Sequence, residues 1–401
     1  MTDDQPRQAA TPRVLLVSQR SLSDQVANAT LYEFEDLVST LDQVDIVSPK
    51  RSSLLPGRLY KFARRLGVGR QLARTMTMRP TETVPPREYE LLFAVFDHYR
   101  QVGNVHILAE WRKRCDRAIC FVAEIWPKDL QTNNAILELF DVFDHVFVGV
   151  NHCADMLAKM VGKPCTNLHP AVDTARLATY PDSPRSIDVS YIGRRSTVTH
   201  QALLDLADEK YWFYHFDTLK GLMRTANHRE HRRLFTDILK RSRYFIANYG
   251  KIDRPDLTGG AQEVGYRFFE GAAAGTVMIG HPPAGDAFKR LFPWPDAVIQ
   301  APFDAPDIAD LIHELEADPE RTARIRTNNV VNALRRHDWL YRYETMLDTV
   351  GMTTTPEMAA RRQRIETLAD RVEERSQSND LAEQGPSRCS GGAHLELAYP
   401  R

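Results

Sequence analysis

Cysteine, long apolar runs and a dominant sign of charge are what this 401-residue chain has little of. Its five cysteines, Cys115, Cys120, Cys153, Cys165 and Cys389, are odd in number, scattered and never spaced as CxxC, which excludes a disulfide framework. Cys120 and Cys165 lie in apolar runs and read as small buried hydrophobes. His152 beside Cys153 lacks the spaced partners that zinc needs, so no metal site is expected. No run of about 18 apolar residues occurs, so no membrane-spanning helix is expected. Lys plus Arg (52) and Asp plus Glu (53) leave a formal charge of −1. That removes global attraction to nucleic acid or an anionic membrane and leaves only local basic patches. The polar start, MTDDQPRQAATP, has no apolar signal core, so a cytoplasmic protein with a disordered segment 1–12 is expected. After the first apolar run comes Ser18-Gln19-Arg20-Ser21-Leu22 rather than a glycine-rich turn, which argues against a dinucleotide fingerprint and an NAD enzyme.

What is present is the composition of a globular α/β protein, 43% apolar and 26% charged, long enough for two domains. Apolar, β-branched or aromatic runs at 13–18, 44–49, 91–97, 117–125 and 145–150 predict buried strands. Amphipathic stretches at 31–41, 128–140 and 151–161 predict helices between and after them. After a proline-punctuated stretch at 171–186, strands are predicted at 188–193, 212–216, 244–248, 277–280 and 297–300. Helices are predicted at 200–208, 230–242, 263–274 and 307–317. This alternation predicts two Rossmann-like domains with parallel sheets, at 13–175 and 186–350. A helical extension follows at 351–375 and a disordered tail at 376–401. The basic, Pro- and Gly-punctuated region 51–86, with a short helix at 57–66, reads as an acceptor-side lid or as a solvated loop.

Residues 263–280 carry the most chemistry. They read as a helix from Glu263 ending at Gly275, followed at once by a buried strand. The amino end of such a helix offers unpaired N–H groups and positive dipole to an anion. Glu270, about two turns further on, carries a carboxylate suited to two vicinal hydroxyls such as those of a ribose.

The pattern Arg267-Phe-Phe-Glu270-x-x-Ala273-x-Gly275 resembles the donor-sugar motif of glycosyltransferases with the GT-B fold, closest to their CgeB-like spore-maturation branch. The resemblance assigns Glu270 to the nucleotide ribose and Glu263 or Gln262 to the first acidic position of the motif. Three further passages resemble GT-B segments in the same order. They are the interdomain linker at His169-Pro170-Ala171-Val172-Asp173, the phosphate-binding strand and turn ending in Gly193-Arg194-Arg195, and the closing segment His337-Asp338-Trp339. The resemblance therefore implies two domains facing across a cleft, with the nucleotide-diphosphate sugar on the second and the acceptor on the first.

On this reading the chain is a glycosyltransferase needing no cofactor and no metal ion, with a glycan, a lipid-linked molecule or a small molecule as acceptor and no nucleic acid partner. Donor binding falls to Gly193, Arg194, Arg195, Asn248, Tyr249, Gln262, Arg267 and Glu270, and catalysis to Glu263 and His98. Asp97 and Glu124 end predicted strands of the first domain, and Lys251 follows the predicted strand 244–248 of the second. A nucleotide-sugar epimerase or hydrolase of the same fold, or a non-catalytic scaffold, remains as the alternative.

Overall fold

The computed structural model of the chain describes residues 12–50, 54–180, 182–218 and 223–383. Among the described residues thirteen strands alternate with helices. They are β1 (Val14–Val17), β2 (Val44–Val47), β3 (Glu82–Thr83), β4 (Tyr89–His98), β5 (Leu108–Ala109), β6 (Cys115–Glu124), β7 (His145–Val148), β8 (Cys165–Asn167), β9 (Ile187–Tyr191), β10 (Tyr214–Phe216), β11 (Ser242–Ile246), β12 (Val277–Gly280) and β13 (Ile299–Gln300). The first sheet has the order β2-β1-β4-β6-β7-β8 and the second β10-β9-β11-β12-β13. Every pairing within both is parallel, as the unbroken apolar runs predict.

Alternate residues of each strand feed cores on opposite faces. Leu15 and Val17 pack on one side of the first sheet, and Val14 and Leu16 on the other. Tyr244 and Ile246 of β11 likewise face one core, and Phe245 the opposite one. The face built on Val14 and Leu16 is covered partly from the far end of the chain. The helix Trp339–Thr349 brings Trp339, Leu340 and Tyr343 onto it. Trp339 stacks on Phe34 at 4.3 Å.

The helix Pro356–Glu383 adds Met358, Ile365, Ala369 and Val372 to the same core, at the spacing of one helical face. The extension expected at 351–375 is thus longer, reaching eight residues into the stretch read as tail, and its polar composition hides a narrow apolar stripe. Residues 1–11 and 384–401, the rest of the segments expected to be disordered, lie outside the described residues.

Two predicted helices are corrected. The stretch 128–140 is broken into Pro127–Thr132, Asn134–Leu137 and a 3-10 turn at Glu138–Val142. The helix expected from Glu263 begins only at Tyr266 and runs to Ala273. Residues 261–265 are held as loop because Gly250 N donates to Glu263 O at 2.9 Å and Ala284 N donates to Gln262 Oε1 at 2.8 Å.

Candidate functional site

In the second sheet the chain leaves β9 and β11 at their carboxyl ends in adjacent places and turns to opposite sides, because strand order reverses between them. Such a point leaves a crevice that neighbouring connections do not fill. A cavity of about 310 Å³ opens there. Its walls are Gly193 and Arg194 after β9, Asn248 to Gly250 after β11, and Gly265 to Arg267 at the head of the helix Tyr266–Ala273. Val26 and Thr30 of the first half close it from across the cleft. A second lobe of about 470 Å³ continues past Ile192 and Arg267 to His215, Phe216 and Phe235. A larger open groove of about 1000 Å³ lies along 281–302, but none of the expected donor-site residues lines it.

Each wall has a local cause. Gly193 adopts φ 99, a left-handed conformation, and its N–H donates to Asp217 at 2.6 Å. A Cβ built there would lie 3.8 Å from the Arg267 guanidinium, so the turn and this arginine are neighbours. Asn248 ties two strand ends together, accepting from His281 N at 2.9 Å and donating to the Tyr191 hydroxyl at 3.3 Å. Gly265 precedes the helix without any side-chain cap, leaving the positive helix end toward the cavity.

Beneath the cavity runs a buried ladder of charge. Arg232, on the helix His228–Lys240, donates to Glu33 Oε2 at 2.9 Å and to Glu270 Oε1 at 2.6 Å. Arg267 donates to the other Glu270 oxygen at 2.5 Å. Burial works to raise the Glu270 carboxyl, but the fields and hydrogen bonds of Arg267 and Arg232 hold it below its ordinary value. Burial likewise works to lower the Arg232 guanidinium, while Glu33 and Glu270 hold it above.

Glu270, from which a ribose contact is expected, is placed beneath the cavity rather than in its wall. Its side chain has 0% exposure and both oxygens are taken by arginines, so it positions Arg232 and Arg267 and offers no open face to a ligand. Glu33 belongs to the first half, which makes the ladder a bridge between the two sheets.

Gly193, Arg194, Asn248, Tyr249 and Arg267 thus meet at one cavity, and four of the remaining expected residues stand apart from it. Arg195 turns away and lies over the Phe216 ring at 5.2 Å. Gln262 is exposed and engaged with Ala284 N. Glu263 is buried beside the cleft, its Oε2 accepting from Asn151 of the first half at 3.0 Å, and burial pushes its carboxyl up to about 7. His98 lies at the end of β4, its Nδ1 accepting from Arg100 N at 3.3 Å, and burial lowers it to about 4.

The halves touch again at Lys251. Lys251 pairs with Glu124 and lies over the Trp126 ring at 5.4 Å, while Trp126 Nε1 donates to Glu124 at 2.5 Å. Asp97 completes this rim; burial raises its carboxyl against the field of Lys251.

Sequence reasoning missed Arg232, His231 and Glu33. A signal existed for the first. Arg232 sits at i relative to Phe235, Thr236 and Leu239, which makes it a charge on the buried stripe of an amphipathic helix. Such a position demands a partner. Among the described residues no group of three or more His, Cys, Asp or Glu side chains converges as a metal-holding set.

Residues 210–348, about a third of the chain, match the family described as glycosyl transferase-like. No curated protein matches the sequence. Among solved structures, HepE from Anabaena in complex with UDP is 13% identical, with 84% of this chain and 99% of that one covered at a TM-score of 0.46. HepE in complex with UDP-glucose is 12% identical, with the same coverage and TM-score. A glycosyltransferase from Rickettsia africae ESF-5 is 11% identical, with 85% and 98% covered at 0.47. At TM-scores below 0.5 these overlaps carry no functional weight.

Proposed function

We propose that this chain is a glycosyltransferase that takes a nucleotide-diphosphate sugar at the switch point of its second sheet and passes the sugar to an acceptor held by the first half. The observation that carries this reading is the cavity itself. An uncapped helix end, a glycine turn and the guanidiniums of Arg194, Arg232 and Arg267 converge there beside an apolar lobe. The cationic group suits the diphosphate, whose negative charge grows as the glycosidic bond breaks, and stabilising that charge lowers the barrier. The lobe lined by Phe216 and Phe235 suits a nucleobase. Arg194 and Arg267, which reach the cavity from their carboxylate partners, and the helix end face the diphosphate on this reading, and the reaction is expected to run without a divalent ion.

Glu263 and His98 are the acid/base candidates for the acceptor hydroxyl. Glu263 is the better placed, its backbone bonded to Gly250 of the cavity wall and its carboxyl, facing Asn151 of the first half, pushed up to about 7 by burial.

Titration with nucleoside diphosphates and nucleotide sugars, followed by mass spectrometry of the products, tests the reading. Arg267→Gln should weaken nucleotide binding roughly ten- to hundred-fold, the cost of a charge-assisted hydrogen bond of about 1.5–3 kcal/mol. Unchanged affinity would remove the diphosphate from this cavity. Turnover should persist in excess chelator. Saturable binding without any turnover would favour the scaffold alternative.

A further inference from the structure

The first half carries a surface that the donor site leaves unexplained. The helices Leu54–Arg65 and Arg70–Thr77 lie between β2 and β4 with their amphipathicity turned outward. Tyr60 and Ala73 are buried beneath them, while Leu55, Leu59, Phe62 and Leu66 follow the i, i+4, i+7, i+11 spacing of one helical face and are 49–68% exposed. Leu72 and Met76 repeat the arrangement one turn apart, at 59% and 58%. Half of the fourteen exposed large apolar side chains among the described residues fall between 54 and 76. A contiguous apolar face of this kind marks an interaction site.

The charges around it select the occupant. Residues 54–79 contain seven basic side chains and no acidic one; Arg64, Arg70 and Arg74 pair with Glu138 and Asp141 within the fold, which leaves the outward charge to the others. Arg58, Arg65 and Arg79 are exposed, with Arg58 and Arg65 flanking the apolar stripe. A second copy would set these like charges against each other, whereas apolar insertion combined with anionic headgroups satisfies both features at once.

We infer that the helices Leu54–Arg65 and Arg70–Thr77 dock the protein onto an anionic lipid surface, with the Leu55–Phe62 stripe inserted among the acyl chains and Arg58 and Arg65 at the headgroups. This surface stands independently of the donor assignment. Joined to it, the face places the acceptor half against lipid and makes a lipid-linked molecule the acceptor class.

The test is sedimentation of the full chain with vesicles of phosphatidylcholine alone or mixed with phosphatidylglycerol. Binding is expected to the mixed vesicles, weakening as salt rises. Arg58→Gln with Arg65→Gln should lower partitioning about 25-fold, roughly five-fold per charge at about 1 kcal/mol each. Phe62→Ser with Leu66→Ser should abolish it while circular dichroism stays unchanged, because both side chains face outward. Equal binding to the two vesicle types, no binding at low salt, or unaltered binding by both variants would overturn the inference. So would a dimer in light scattering that Phe62→Ser disperses, since the face would then belong to a second copy.

Discussion

The two sheets share one topology, and their switch points have opposite contents. In the second, the chain leaves β9 through Gly193, and the space beside it is open. In the first, the equivalent place after β1 holds Ser18, Gln19 and Arg20, which the fold consumes itself. Gln19 accepts from Asn104 at 2.5 Å within the interior, and Arg20 is tied to Glu35 at 2.7 Å and to Asp36 at 3.1 Å. Topology places a crevice at both sites, but glycine at the second turn leaves space where the side chains of the first turn fill it and bond to one another. The first half contributes a wall, through Val26 and Thr30, and carboxylates that pair with the second half, Glu33 with Arg232 and Glu124 with Lys251.

The ladder that joins the halves is the place to break this contrast hardest. Arg232→Met strands Glu33 and Glu270 in the interior, and losing one partner of a buried ionic group costs about 3–5 kcal/mol. Denaturant unfolding should show that loss, together with weaker nucleotide binding as Arg267 loses its fixed Glu270. A variant as stable as the wild type would mean that the cavity floor is not set by this network.

Glu263 tests the cleft through pH. Its folded-state carboxyl is raised to about 7 by burial, so the folded chain holds the proton more tightly than the unfolded chain does. The stability this gives is complete below about pH 4.5 and is lost as pH rises through about 7. Wild type should therefore lose up to about 3 kcal/mol against Glu263→Gln over that window. Glu35, also raised to about 7 by burial, is present in both proteins and drops out of the difference. Parallel stability curves for the two would show Glu263 to be solvated and unsuited to proton transfer at neutral pH.

Gly193→Val sharpens the comparison directly, because φ 99 strains any side chain and costs about 1–3 kcal/mol. Nucleotide affinity should fall with it, whereas Gln19→Gly in the first sheet should leave affinity unchanged. A Gln19→Gly protein with weakened nucleotide binding would show that the first switch point also takes part.

The parallel sheets were legible because buried strands must be apolar on both faces, and β4, β6, β11 and β12 carry the unbroken apolar runs 91–96, 118–123, 244–246 and 277–279. The rim of the cavity was legible too, since Gly193, Asn248 and Tyr249 follow such strands. Long-range bonds decided what was not. Gln262 and Glu263 are good helix formers, yet Gly250 and Ala284 hold them in a loop, a tertiary override of local propensity. Glu270 matches a ligand-binding motif in sequence, but what closes it is Arg232, 38 residues upstream, and no spacing rule connects the two.

The smallest effect belongs to Arg194, and its smallness is informative. The side chain is 44% exposed and pairs with Asp253, itself 37% exposed, at 2.9 Å. Exposed pairs contribute about 0–1 kcal/mol, since water screens them and two long side chains must be ordered. Arg194→Ala should therefore leave the melting temperature within a degree or two of the wild type. Its consequence should appear in nucleotide binding, and there mainly for diphosphates, because Arg194 stands on the cavity rim rather than beside the apolar lobe. Asp253→Ala, which frees the guanidinium without moving the turn, should leave nucleotide affinity equal or raise it. Should both variants lose stability and neither lose affinity, the pair would be a brace for the Gly193 turn, and the diphosphate would rest on Arg267 and the helix end alone.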